Sequence, residues 1–89
     1  MRPFRITGAF RRDVRRDQRR GKDIEKMWSV VDAISRGVTL PARHRAHKLA
    51  GNWADHWECH IEPDWLLVWR EADDALELVR LGTHADLFD

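Results

Sequence analysis

Proton chemistry in this chain would fall to four side chains in two separated stretches. His47, His60 and Asp64 lie between residues 45 and 64, and His84 lies in the closing run Gly82-Thr83-His84-Ala85-Asp86-Leu87-Phe88. An imidazole with its ordinary pKa of about 6.5 offers both acid and base forms near neutrality, so it is the side chain best suited to general acid–base work. His60 and Asp64 bracket the turn Glu62-Pro63-Asp64. There Asp64 is placed to orient His60, to hold it protonated, or to act as a base itself. A metal reading is weaker: His/His/Asp can bind zinc, but no tight ligand pair such as His-x-x-x-His on a helix is present. His44 and His56 read as solvated surface residues. Cys59, inside a strand-like run, reads as a buried small hydrophobe rather than a nucleophile. With no second cysteine, it can form no internal disulfide.

The elements that must position these groups follow from the pattern of apolar residues. Phe4 and Ile6 alternate with Arg5 and Thr7, the period of a short strand begun after Pro3. From Ala9 to Arg20 only Ala9, Phe10 and Val14 are apolar, a narrow inward stripe on a helix otherwise covered by arginine, and Gly21 supplies the left-handed position that ends it. Asp23 is an N-cap for a second helix with Ile24, Met27, Trp28, Val31 and Ile34 at core spacing, closed by Gly37. The two should form an antiparallel hairpin. Residues 38–52 read as a long loop carrying Arg43, His44, Arg45, His47 and Lys48.

From Trp53 to Ile61, alternation places Trp53, Asp55, Trp57, Cys59 and Ile61 on one face and His56, Glu58 and His60 on the other. The first face should turn to the helices, leaving His60 outside the core; Trp53, Trp57 and Trp69 read as packing residues. Trp65 to Arg70 is apolar on both faces, as a central strand would be, and Ala75 to Leu81 forms a further strand before a C-terminal tail. The expected fold is therefore α+β: an N-terminal strand and a two-helix hairpin packed on a largely antiparallel sheet with three further strands.

With 89 residues, 43% hydrophobic and 35% charged, the chain is one small domain with a single modest core. Its formal net charge of +1 conceals a segregation of sign. Lys and Arg dominate before Gly51, whereas only Arg70 and Arg80 follow it, among many acids. Six arginines (Arg11, Arg12, Arg15, Arg16, Arg19 and Arg20) crowd the first helix, and Asp13 and Asp17 offset few of them. Such a surface suits a polyanion. No apolar run is long enough to span a membrane, and the arginine-rich start lacks the apolar core of a signal peptide, so a cytoplasmic location is expected.

Three motifs carry a resemblance. His47-x-Leu49-x-Gly51-x-Trp53, then Glu58-Cys59-His60-Ile61-x-Pro63-Asp64-Trp65-Leu66-Leu67, then Val79-Arg80-x-Gly82-Thr83-His84-x-Asp86-Leu87-Phe88 resemble the YafQ branch of the RelE/ParE toxin superfamily. The match spans most of the second half; the first half matches only in plan. The resemblance implies a RelE-like fold and a ribosome-dependent mRNA endoribonuclease that works in the ribosomal A site, uses no cofactor or metal, and is neutralised by a cognate antitoxin. It nominates His47, His60, Asp64 and His84 as the catalytic set, with Trp65 and Phe88 as aromatic supports available to stack on a base. For RNA or ribosome contact the basic residues are Arg11, Arg12, Arg15, Arg16 and Arg19 on the helix, and Arg45, Lys48 and Arg80 for phosphates.

Cleavage without a metal requires a base for the 2′-hydroxyl, an acid for the departing 5′-oxygen and positive charge on the phosphorane. His47 is read as the base and His84 as the acid. Two positions depart from the family pattern: Trp57 stands where arginine is common and Leu81 where threonine is. Two other classes stay open, a ParE-like inhibitor of a protein target such as gyrase, which would need no histidine set, and a metal-dependent nuclease.

Overall fold

A computed structural model describes residues 2–88. Its elements in chain order are β1 (Phe4–Ile6), α1 (Gly8–Arg19), α2 (Ile24–Ser35), β2 (His47–Lys48), β3 (Trp57–Glu62), β4 (Trp65–Ala72), β5 (Ala75–Gly82) and α3 (His84–Phe88), with single 3₁₀ turns at Ala42–His44 and Gly51–Trp53. The sheet has five strands in the order β1-β5-β4-β3-β2. β1 runs parallel to β5, since the helical hairpin carries the chain over before the three-strand meander returns, and the remaining pairs are antiparallel.

Local chemistry accounts for the helix ends. Thr7 caps α1 by accepting a hydrogen bond from the Phe10 amide at 2.9 Å, and the same hydroxyl donates to the Val79 carbonyl at 2.8 Å, tying the helix start to β5. Asp23 caps α2 by accepting from the Lys26 amide. Gly21, at φ +83°, takes the left-handed position beyond the end of α1.

The main core lies between the helices and one sheet face. Phe10, Met27, Val30, Val31 and Ile34 meet Cys59, Ile61, Trp65, Leu67, Trp69, Leu76, Leu78 and Leu81. β4, second-shielded on both sides as the middle strand, sends Leu66 and Val68 to the opposite face, where they pack with Leu87, Leu49, Trp53 and Val79. Leu78 and Leu81 both reach the main core although three residues apart; a register shift between β4 and β5 at Val68/Trp69 supplies the extra residue.

Several boundaries differ from the pattern reading. β3 starts at Trp57, because Gly51–Trp53 forms a 3₁₀ turn and Asp55 is left-handed at φ 70°. The loop before it contains β2, so four strands follow the helices rather than three, and the C-terminal tail is the short helix α3. Trp28 sits at the rim, 36% exposed against Phe4 and Phe10, while Val30 takes a core position. The helix repeat admits either residue; the sheet edge at β1 decides.

Candidate active site

The second, smaller cluster is the floor of the site. Glu58 lies opposite Val68 and His60 opposite Leu66 in the β3–β4 ladder, and His47 lies opposite Glu58 in the β2–β3 ladder, so these side chains share the face turned away from α1 and α2. α3 brings His84 to the same place: the rings of His60 and His84 are 5.9 Å apart, and Phe88 lies 6.2 Å from His84 and 5.7 Å from Trp53.

Each site imidazole is held by Nδ1. His47 Nδ1 meets the Arg45 carbonyl at 2.6 Å, His60 Nδ1 the Pro63 carbonyl at 2.9 Å, and His84 Nδ1 the Asp64 carboxylate at 2.9 Å. A carbonyl oxygen only accepts, so Nδ1 carries the proton in His47 and His60 and Nε2 is left to exchange one. Asp64 also accepts from the His84 amide at 3.0 Å, and these two bonds, backbone first, hold its carboxyl below the usual carboxylate range. Asp64 is therefore the partner of His84, not of His60 as the tight turn suggested; His60 takes the turn's own carbonyl instead.

Glu58 was not among the nominated residues. It is 5% exposed, and its Oε1 lies 3.4 Å from His47 Nε2 and 4.0 Å from His60 Nε2. The signal was present in the alternation that set Glu58 two residues before His60 on one strand face. What the pattern lacked was β2, which brings His47 across from it. His44, expected at the solvated surface, is instead 6% exposed, and its Nδ1 donates to the His60 carbonyl at 2.6 Å. Cys59 is buried, and desolvation pushes its thiol up to about 12, so it stays a thiol at neutral pH.

The family described as a bacterial toxin of type II toxin–antitoxin systems, YafQ, matches residues 2–89. The chain belongs to the YafQ toxin family. The mRNA interferase toxin YafQ of Escherichia coli K12 is 36% identical over 88 residues, which is 98% of this chain and 96% of that one. Among solved structures, YafQ in the E. coli DinJ–YafQ complex superposes with a TM-score of 0.90 at 36% identity, covering 100% of both chains. A metal-bound toxin from Helicobacter pylori superposes with a TM-score of 0.93 at 32% identity over 99% of this chain and 100% of that one. Among the described residues here, no group of three or more His, Cys, Asp or Glu is arranged to hold a metal ion.

Not every nominated RNA contact of this YafQ-family chain faces outward. Trp65 is fully buried and its indole N–H donates to Asp17 at 2.8 Å, so it supports the core and cannot stack on a base. Arg80 is bonded through Nε to Asp13 at 2.6 Å, and Arg16 reaches Asp13, Asp17, the Leu81 carbonyl and Asp86. These two guanidiniums neutralise the buried carboxylates Asp13 and Asp17 and are not free for phosphate. Arg11, Arg12, Arg15 and Arg19 are exposed, as are Arg45 and Lys48.

The internal network also places α3. Arg20 donates to Asp86 at 2.8 Å, and Asp86 and Thr83 cap each other across the helix start. Gly82 is required there, since a Cβ would lie 2.7 Å from the Arg16 guanidinium and 2.9 Å from Asp86. Trp57 stacks on Trp69 with ring centres 6.4 Å apart at the edge of the main core.

Proposed function

We propose that this toxin is an mRNA endoribonuclease that cuts mRNA on the ribosome, in the cytoplasm, and is held inactive by a cognate antitoxin. Supporting the nuclease reading are the sequence similarity to the mRNA interferase YafQ and, above all, the convergence of His47, His60 and the Asp64-held His84 around one exposed face. The antitoxin follows from the likeness to YafQ in its DinJ complex. For the ribosome, the support is the row of exposed arginines on α1.

In the reaction, the RNA's own 2′-oxygen attacks the adjacent phosphorus and the bond to the 5′-oxygen breaks, giving a 2′,3′-cyclic phosphate and a 5′-hydroxyl. Nε2 of His47 takes the 2′-hydroxyl proton, and Glu58 beside it offers negative charge to the ring that forms. His84, its Nδ1–H committed to Asp64, delivers a proton from Nε2 to the departing 5′-oxygen. His60 lies between them beside Glu58, and in its doubly protonated form its Nε2–H donates to the developing phosphorane.

Primer extension on mRNA translated with the purified protein tests the proposal. Cuts within translated codons that disappear with His84→Ala, together with cyclic-phosphate ends, are expected. Uncut mRNA alongside inhibited gyrase would transfer the chain to the class of protein-targeting toxins, and 3′-hydroxyl ends would exclude the 2′-oxygen as nucleophile.

A further inference from the structure

Beside His60 a pocket of about 260 Å³ is lined by Arg43, Arg45, His60 and Pro63. Two of its four lining residues are arginines and none is acidic. Both arginines are exposed, and neither enters an ion pair among the described residues.

The turn that bears them is anchored to the catalytic strand. His44, between the two arginines, is buried and bonded to the carbonyl of His60 itself. Arg45 holds a left-handed backbone at φ 47°, a conformation a non-glycine residue keeps only when its surroundings impose it. Its carbonyl is the acceptor that fixes His47. One short segment thus sets the ring of His47, is fastened to the backbone of His60, and carries the two arginines that line the pocket beside His60. A guanidinium fork matches the oxygens of a phosphodiester.

We propose that Arg43 and Arg45 form a subsite for an mRNA backbone phosphate, the one adjoining the scissile phosphate, and so clamp the strand as it enters the histidine site. The pocket shares only His60 with the reacting groups, so its ligand is a phosphate beside the scissile one and not the scissile phosphate itself. This subsite rests on the mRNA-endoribonuclease reading, and its test is built to fail separately from that reading.

The test compares wild type with the double variant Arg43→Gln/Arg45→Gln, whose exposed positions leave the core untouched. The first probe is a 2′-O-methylated hexanucleotide RNA, which cannot be cleaved, titrated by fluorescence anisotropy across a salt series. The double variant should bind about tenfold more weakly, and its salt slope should be shallower by about 0.7 for each phosphate charge no longer neutralised. Unchanged affinity and slope would overturn the subsite. In ribosome-dependent cleavage, KM should rise about tenfold while kcat stays within about threefold. A fall in kcat at constant KM would overturn it as well, by placing the arginines at the reacting phosphate. Equal loss of binding to ribosomes carrying no mRNA would assign the contact to ribosomal RNA and refute the mRNA subsite. Should the wild type fail to cleave at all, the endoribonuclease reading falls, while the hexanucleotide titration still decides the subsite.

Discussion

Replacing Glu58 by glutamine should separate catalysis from folding more sharply than any other change in the site. The carboxylate is 5% exposed, with Oε1 at 3.4 Å from His47 Nε2 and 4.0 Å from His60 Nε2. Two unit charges about 4 Å apart interact by about 4 kcal/mol at the effective dielectric typical of a protein near its surface. The His47 side chain is 49% exposed, so solvent removes much of this, leaving about 1–3 kcal/mol for the imidazolium formed as the base takes its proton. That is a loss of about 10- to 100-fold in the cleavage step.

Stability should move the other way or not at all, by about 0–1 kcal/mol, because glutamine keeps the shape and relieves a nearly buried charge. Single-turnover cleavage of ribosome-bound mRNA and thermal melts on the same preparations measure the two effects. A double-mutant comparison adds the decisive control: with both His47 and His60 changed to alanine, Glu58→Gln should cost almost nothing further. The reasoning is refuted if the single variant cleaves within about twofold of wild type, or if its loss persists undiminished without the two rings.

Asp64→Asn should leave the melting temperature nearly unchanged, since Asp64 is exposed, but lower the rate by about 100-fold by removing the negative charge that supports the protonated ring of His84; equal losses in stability and rate would contradict this. Trp65→Phe should reduce stability by about 1–3 kcal/mol through the lost bond to buried Asp17, with RNA affinity retained in anisotropy titrations. Arg11, Arg15 and Arg19 changed together to Gln should make ribosome binding less salt-dependent with the melt intact, whereas Arg16→Gln should lower the melt, because Arg16, unlike those three, is tied into the Asp13–Asp17–Asp86 network. Asp86 is held well below the usual carboxylate range, first by Arg20 and further by the Thr83 amide and Arg16. A depressed carboxylate stabilises the fold above its unfolded pKa and loses that contribution as pH falls through its folded one. Asp86→Asn should therefore cost about 1–2 kcal/mol near neutrality, and denaturant melts should show the deficit shrinking below about pH 4.

The α+β plan was legible because its signals are local. Apolar spacing marked α1 and α2, Asp23 and Gly21 marked helix ends, and two-sided apolarity marked β4 as the middle strand. Strand alternation also put His60 outside the main core, since side-chain direction in a strand is fixed by parity alone. What parity cannot supply is the partner across a ladder or the extra residue of a bulge. The pairing of Asp64 with His84, 20 residues away, and the approach of His47 to Glu58 through a two-residue strand depend on how β2 and α3 dock. The same holds for charge. Arg11 and Arg16 are the same residue on one helix, but α1 packs over β5 with Asp13 and Asp17 buried beneath it, and that face alone draws Arg16 and Arg80 inward. Which arginines remain for RNA is thus a property of the packed sheet and helix, because burial of a carboxylate obliges the fold to bring it a cation.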